Sequence, residues 1–226
     1  MRKGYSKFLT VTLIIIIVAV IGLIGYLGYD YYTRLRTNQD ASDAFEKFAQ
    51  EVAVEDESIN PTDLNPQTDV KTEDPNTTTN EQTNTSTSTK AKTYKGFNML
   101  GTIEIPKTGA KYPILEKVTK KSLETSVAVI WPEKAELNKP GNVVIVGHNY
   151  RNGTFFSDNK KISKGDKIYI RDLNNNRVAY TVYKIFEASE NETSFYNRDT
   201  DGKKEITLST CTDNNAARLI IQAREE

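Results

Sequence analysis

Residues 8–29 form an apolar run without a charged side chain, built mainly from Ile, Leu and Val. A helix rises 1.5 Å per residue, so about 20 such residues span the ~30 Å hydrocarbon core of a bilayer. The alternative, a cleaved signal peptide, has an apolar region of only ~7–15 residues. Tyr29, Tyr31 and Tyr32 at the end of the run suit a membrane interface. We therefore predict an uncleaved transmembrane anchor at residues 8–29.

Basic residues around this run predict its orientation. Arg2, Lys3 and Lys7 lie in the tail at residues 1–7, and fewer basic residues follow the run before residue 40. Lys and Arg accumulate on the cytoplasmic side of membrane spans. The small excess before the run favours a cytoplasmic basic tail and a single-pass membrane protein whose remaining residues are extracellular.

Composition divides the rest of the chain into three parts. Residues 30–57 are interpreted as a juxtamembrane stalk, with an amphipathic helix carrying Phe45 and Phe48 on one side as the alternative. Residues 58–93 are rich in Asn, Thr, Ser, Gln, Asp and Pro. Such a composition cannot bury enough apolar surface to fold, so it predicts a disordered linker. Residues 94–226 have the usual size of one folded domain.

The pattern of this last segment is typical of short β-strands. Residues 101–106, 166–172 and 177–186 alternate apolar and polar side chains, and residues 142–147 form a continuous apolar run. Two more strands are predicted at 205–210 and 218–223, a hairpin turn at 173–176 and a short helix at 122–127. Many short strands with few helical stretches favour an all-β fold, either a barrel or a sandwich.

Charge and motif content exclude several function classes. Thirty Lys and Arg balance thirty Asp and Glu, so nucleic-acid binding gains no support. The sequence has no phosphate-binding glycine loop and no zinc-ligand cluster. Residues 197–202 resemble the start of a calcium loop, but Leu208 occupies the position where an EF-hand needs a bidentate Glu. We predict no cofactor and no metal ligand, and a looser calcium site is left open.

The chain contains one cysteine, Cys211, and one histidine, His148. A lone extracellular thiol forms no intramolecular disulfide and is either paired between molecules or free and reactive. Both residues follow predicted strands, and a thiol beside an imidazole is the minimum pair for cysteine nucleophilic catalysis. The alternatives are a cysteine that packs as a small buried hydrophobe and a structural histidine held by backbone carbonyls.

Arg218 opens the predicted strand that follows Cys211. Antiparallel pairing of residues 206–210 with 219–223 would put its guanidinium beside the thiol. A donor at that position can stabilise the negative charge that develops on an attacked carbonyl oxygen. Taken alone, the residue is better explained as a surface arginine.

These residues together resemble the sortases, membrane-anchored transpeptidases of Gram-positive bacteria. The resemblance rests on TLSTC at 207–211, the arginine at the start of the next strand and VGH at 146–148. Further matches are LGTIEIPK at 100–107 and PGN at 140–142. The likeness covers residues 97–224. It implies a closed sortase-type β-barrel of about eight strands with one or two short helices, preceded by a transmembrane helix and a disordered linker.

The resemblance also implies a reaction. Cys211 would attack the carbonyl of a threonine in the C-terminal sorting signal of a surface protein, and an amine of a peptidoglycan precursor would resolve the thioacyl intermediate. His148 would protonate the leaving amine and deprotonate the incoming one. Arg218 would position the substrate and stabilise the oxyanion. The substrate-binding residues implied are Val146, Ser209 and Thr210.

The sortase class stays open. Ser209 gives TLSTC the class B pattern, but the stretch from 188 to 204 is too short for the usual class B insertion. The Asp-Pro-aromatic lid of pilin-polymerising sortases is missing, because Asp74 and Pro75 precede an asparagine. The linker contains NPQTD at 65–69, close to a class B signal. Chance explains it best in this composition, and a pseudo-substrate is the sharper hypothesis.

Two other functions remain open at this point. An extracytoplasmic cysteine peptidase would hydrolyse its substrate rather than transfer it to an amine. A non-enzymatic β-barrel surface module would carry the cysteine incidentally. The sequence leaves the recognised signal, the acceptor amine and the oligomeric state undetermined.

Overall fold

A computed structural model describes residues 2–57 and 92–226 of the chain. Most of the predicted linker lies outside the described residues, as do the NPQTD sequence at 65–69 and Asp74 with Pro75. The described part consists of one long N-terminal helix and a sheet that closes on itself.

Helix α1 spans Arg2–Glu57 without a break. Within it, the stretch Leu9–Phe48 contains a window with a mean hydropathy of 2.8, which is long and apolar enough to cross a membrane by length and composition. Apolar side chains of this part, such as Ile15 and Ile24, are exposed. The helix then continues into the segment interpreted as a stalk.

The barrel elements follow in short succession. The strands are β1 (Thr93–Tyr94), β2 (Phe97–Ile105), β3 (Ala110–Leu115), β4 (Val127–Trp131), β5 (Gly141–Val146), β6 (Lys167–Asp172), β7 (Arg177–Ala188), β8 (Lys204–Cys211) and β9 (Arg218–Glu225). Helix α2 (Lys120–Thr125) and a 3₁₀ turn (Asn159–Lys161) are the helical elements between Thr93 and Glu225.

The strand order is β1-β2-β3-β4-β5-β8-β9-β7-β6, and β6 pairs back onto β2. This second pairing closes β2–β9 into an eight-stranded barrel, which confirms the predicted fold. The pairs β3–β4 and β5–β8 are parallel, and the others are antiparallel. Because β5 and β8 are parallel neighbours, both strands end at the same rim of the barrel.

Side chains alternate between the barrel interior and its outer face, as the strand period of two requires. The interior is apolar and includes Ile103, Ile145, Ile168, Ile206, Leu208 and Ile221. On the outer face of β5 and β9, Val144 and Ile220 form a smaller cluster with Ala188 and Phe195. The loop between β7 and β8, which carries Phe195, therefore covers part of this face.

Three strands, β1, β3 and β4, were not predicted from the sequence. Strand β1 is two residues long and begins in the segment assigned to the linker. Strand β3 carries Pro113 in its interior, which hides the strand pattern. Strand β4 begins at Val127, where the predicted helix at 122–127 was expected to end. Helix α2 lies two residues earlier because Thr119 caps it: the Thr119 hydroxyl accepts from the Ser122 backbone N–H, and the Ser122 hydroxyl accepts from the Thr119 N–H.

The segment interpreted as a stalk packs against the barrel. Ala41, Phe45 and Phe48 of α1 are buried. Ala41 belongs to the main core of the barrel, and Phe48 packs in a cluster with Tyr94 and Leu115. The apolar side of the helix at Phe45 and Phe48 thus has its partner within the same chain.

Candidate active site

Cys211 is the last residue of β8, and Arg218 is the first residue of β9. The antiparallel register makes the two residues direct cross-strand partners. The Arg218 guanidinium Nη1 lies 2.8 Å from the Cys211 sulfur Sγ. The predicted approach of the guanidinium to the thiol is therefore present, and the thiol is free and half-buried.

His148 leaves β5 at the same rim. The last register pair of β5 and β8 is Val146 with Ser209, two residues before His148 and Cys211 respectively. Beyond it the Gly147 N–H donates to the Ser209 carbonyl at 3.2 Å. The Thr210 hydroxyl donates to the Gly147 carbonyl at 2.7 Å. These bonds hold the backbone before the histidine against the backbone before the cysteine.

Glycine is required between the strand and the histidine. A Cβ at Gly147 would lie 2.8 Å from the Phe156 ring and 2.9 Å from the Val127 side chain. Atoms do not pack this closely without displacement, so a larger residue would force the Gly147 backbone or these two side chains to move. The glycine in the VGH motif therefore has a packing reason.

The His148 imidazole stacks on the Tyr150 ring, with centroids 4.8 Å apart and ring planes 30° apart. Burial lowers the pKa of His148 below its ordinary value of 6.5; the Glu124 carboxylate opposes this shift, and the positive charge of Arg218 adds to it. The imidazole is therefore mainly neutral at neutral pH. Within the described residues, no hydrogen bond joins the imidazole to the Cys211 sulfur.

The main chain at Cys211 is fixed by Asn149, a residue that the sequence reasoning did not single out. The Asn149 side-chain amide donates to the Cys211 carbonyl at 2.9 Å and to the Asp213 carboxylate at 3.0 Å. Lys160 also binds Asp213, at 2.7 Å, and these contacts lower the pKa of that carboxyl, the Lys160 hydrogen bond most strongly. The only signal in the sequence was the position of Asn149 directly after the histidine.

The predicted substrate-binding residues occupy two faces of the strands. Ser209 shares the outer face of β8 with Cys211, because side chains two positions apart point the same way. Its cross-strand partner is Val146, which is half-buried. Thr210 points to the opposite face, where it is 3% exposed and bonded to Gly147. A substrate contact by all three residues stays a prediction. The Thr210 hydroxyl is already bonded to the Gly147 carbonyl, which gives this residue a structural role.

A cavity of about 480 Å³ opens beside Cys211. It runs along the rim between the loop after His148 and the loop between β8 and β9. Its lining is Asn149, Phe156, Lys160, Glu187, Thr210–Asn214 and Leu219. Cys211 is thus reachable from open space.

The part of the chain that the structure describes contains no preformed metal site. Within residues 2–57 and 92–226 no group of three or more His, Cys, Asp or Glu side chains is arranged to hold a metal ion. The segment at 197–202 forms a turn, in which the Asp199 carboxylate accepts from the Asp201 N–H at 2.8 Å. The prediction that the protein needs no cofactor remains a prediction.

Comparison with known proteins finds one family. A family model described as the sortase domain matches residues 103–226. Sortase A of Bacillus anthracis is 32% identical over 126 residues, which cover 54% of this chain and 58% of that relative. The chain therefore spans somewhat more than half the length of this curated relative.

Solved structures give the same family. A Clostridium perfringens sortase D5 transpeptidase is 30% identical with a TM-score of 0.52, over 57% of this chain and 79% of that one. A sortase C from Clostridium perfringens, solved with the C-terminal cell wall sorting motif, is 27% identical with a TM-score of 0.51, over 57% and 71%. On the family match and the barrel together, this chain belongs to the sortase family.

Proposed function

We propose that this chain is a membrane-anchored cysteine transpeptidase of the cell surface. It cleaves a C-terminal sorting signal after a threonine and transfers the surface protein to a cell-wall amine. The observation that carries the proposal is the 2.8 Å contact between Arg218 and the Cys211 sulfur. His148 at the end of the adjacent parallel strand supplies the proton-transfer group.

The first half of the reaction forms a thioacyl enzyme. The Cys211 thiolate attacks the threonine carbonyl carbon, and the carbonyl oxygen becomes an oxyanion beside the Arg218 guanidinium. The C–N bond then breaks, and the leaving amine takes its proton from the protonated His148 imidazole. The acyl group remains on the sulfur as a thioester.

The second half releases the surface protein. An incoming amine gives a proton to the now neutral His148 and attacks the thioester carbonyl, and the Cys211 thiolate leaves. The lowered pKa of His148 makes its protonated form scarce at neutral pH. Since the first half needs thiolate and imidazolium together, we expect low turnover.

Partners and location follow from the same proposal. The outer face of β8, with Ser209 and Cys211, is the surface on which the signal peptide would lie. A related sortase C was solved with a C-terminal cell wall sorting motif, which supports a peptide of this kind as substrate. The apolar part of α1 would anchor the protein, and the basic tail at 1–7 favours a cytoplasmic N-terminus and an extracellular barrel.

The test uses the full chain in detergent micelles and a panel of signal peptides, including Leu-Pro-x-Thr-Gly and Asn-Pro-Gln-Thr-Asn. We expect cleavage after threonine, a thioacyl adduct on Cys211 by mass spectrometry, and a transfer product that appears only when triglycine or another amine is added. Cys211→Ala is the matched control. Cleavage that ignores every added amine would identify a hydrolase instead, and activity that survives Cys211→Ala would rule out both enzymes.

The linker sequence at 65–69 can be examined in the same preparation. If it acts as a pseudo-substrate, the full chain incubated alone accumulates a fragment ending at Thr68 or a thioacyl adduct carrying it. The Cys211→Ala protein should accumulate neither. An unchanged mass of the wild-type chain over the same period would assign the sequence to chance.

A further inference from the structure

We propose that Tyr112 is a positioning residue that fastens helix α1 to the loop carrying His148. The inference rests on the proposed function, in which His148 transfers the protons. It concerns a hydroxyl on β3 that neither touches Cys211 nor belongs to any motif of the sequence.

The Tyr112 hydroxyl makes two hydrogen bonds in opposite directions. It donates to the Asn38 side-chain oxygen of α1 at 2.6 Å, and it accepts from the Phe155 backbone N–H at 2.8 Å. The side chain is 3% exposed. Burial raises the pKa of Tyr112 to about 12, so the phenol keeps its proton and both bonds persist throughout the physiological pH range.

Phe155 needs such a partner because its backbone is strained. Its φ of 50° lies in the left-handed region, which is costly for a bulky residue. The residue is 4% exposed, so without Tyr112 its N–H would lose its partner in a buried position. The two rings also pack against each other, with centroids 5.3 Å apart. The conformation of Phe155 therefore depends on Tyr112.

Phe155 in turn holds the residues around the histidine. It forms a β-bridge with Asn149, and its ring lies 5.9 Å from that of Tyr150, which stacks on the imidazole. The next residue, Phe156, donates its N–H to the His148 carbonyl at 3.1 Å. Phe155 and the residue after it therefore contact the His148 backbone, Asn149 and the Tyr150 ring that stacks on the imidazole.

On its other side, Tyr112 meets the docked part of α1. Asn38 lies one turn before Ala41, which is buried in the barrel core. Further along the helix, Glu46 pairs with Lys111 of β3 at 3.1 Å. The helix that would leave the membrane is therefore connected to the histidine loop through the Tyr112 hydroxyl.

The test compares three variants of the full chain in detergent micelles. Tyr112→Phe removes both hydrogen bonds and keeps the ring, and Asn38→Ala removes only the contact to α1. Tyr169→Phe is the matched control, because it removes a hydroxyl from a half-buried tyrosine of β6. We measure kcat and KM for the signal peptide, and we follow the ring protons of the only histidine by NMR titration.

We expect Tyr112→Phe to lower kcat about tenfold with little change in KM, the size of effect that one lost buried hydrogen-bond partner produces. The pKa of His148 should rise toward 6.5, because a looser loop admits water and burial is the main cause of its lowering. Asn38→Ala should change both quantities in the same direction by less, and Tyr169→Phe should leave both unchanged.

The outcomes separate this inference from the proposed function. A His148 titration and a kcat that are the same in Tyr112→Phe and wild type would overturn the positioning role. A general loss of stability would lower the unfolding midpoint without moving the pKa of the folded protein, so a shift in the midpoint alone also counts against it. If the wild-type chain cleaves no signal peptide, the proposed function fails, and the NMR titration still decides the role of Tyr112.

Discussion

The parallel pair β5 and β8 carries an arginine-containing polar cluster at each end, and the two clusters differ in burial. At the end where the strands begin, Glu205 is 2% exposed and accepts from Tyr183 at 2.9 Å. It also forms ion pairs with Arg198 and Arg224. At the end where the strands finish, Arg218 lies against the Cys211 sulfur and pairs with Glu190, which is largely exposed.

The two clusters also differ in whether their polar groups are bound within the protein or can contact a substrate. The Glu205 cluster also fixes the loop between β7 and β8: Asn142 donates to the Phe195 and Tyr196 carbonyls and accepts from Arg198 at 3.1 Å. Ion pairs to a buried carboxylate such as Glu205 are costly to break. The cluster at Cys211 is half-open, and its thiol and imidazole are not bonded to each other in the described structure. An arginine thus stabilises the fold at one end and is free to act on a substrate at the other.

The largest expected effect is that of removing the nucleophile. Cys211→Ala should reduce kcat/KM by at least about 10⁴-fold, as loss of a covalent nucleophile does in comparable enzymes. The free energy of unfolding should change by no more than about 1 kcal/mol, since the side chain is half-buried. Peptide cleavage and urea unfolding measure the two quantities. Retained cleavage would mean that the open cluster carries no chemistry.

The same substitution at both arginines tests the comparison directly. Arg218→Gln should lower kcat/KM by about 10²–10³-fold, the usual effect of removing an oxyanion donor, with little change in stability. Arg198→Gln should instead lower the free energy of unfolding by about 2 kcal/mol, because Glu205 stays buried with one cation fewer, and should lower kcat/KM less than tenfold. Equal effects of the two variants on activity would remove the distinction between the clusters.

Features of the fold and the site that depend on interactions between residues close in sequence could be predicted, and those that depend on distant residues could not. The strand containing Cys211, the strand containing Arg218 and their register follow from alternation and one short loop, so the sequence leads to the contact between thiol and guanidinium. The ends of β5 and β8 also follow, since apolar runs are visible locally. Strands β3 and β4 were missed, because Pro113 and a neighbouring helix conceal their patterns.

The positions of other residues depend on contacts distant in sequence. Asn149 reaches the Cys211 carbonyl only because β5 and β8 are adjacent and parallel. Tyr112 lies on the unpredicted strand β3 and donates to Asn38 of α1. Nothing in the local sequence of either residue indicates this contact. The docking of α1 was likewise open, because an amphipathic pattern identifies an apolar face and not the surface that covers it.

The carboxylates of the two clusters provide a matched pair for stability. Glu205→Gln should lower the free energy of unfolding by about 3 kcal/mol, because Arg198 and Arg224 lose the buried carboxylate that pairs with both. Glu190→Gln should change it by less than about 0.5 kcal/mol, since the Arg218 pair is at the surface. Chemical unfolding of both variants gives the difference. A cost at Glu190 as large as that at Glu205 would show that the active-site rim is as strongly held as the opposite end.

The smallest expected effect concerns the charge of the histidine at the open end. The pKa of His148 should lie below 6.5 in the folded protein. The unfolded chain then binds the proton more strongly than the folded chain does. Above pH 6.5 the histidine therefore has no effect on stability. As the pH falls from 6.5 through the folded pKa, its protonation increasingly favours the unfolded state and lowers the free energy of unfolding. NMR titration of the imidazole gives the folded value, and unfolding at several pH values gives the slope.

Two charge variants sharpen this last measurement. Glu124→Gln should lower the pKa of His148 further, because that carboxylate opposes the shift, and Arg218→Gln should raise it. Glu133→Gln, an exposed carboxylate that is not among the groups acting on His148, is the matched control. Since Glu124 is itself exposed, water and salt screen its charge, and the change should shrink as the ionic strength rises. A pKa above 6.5, or one that both variants leave unmoved, would mean that the imidazole is more open to water than its packing on Tyr150 indicates.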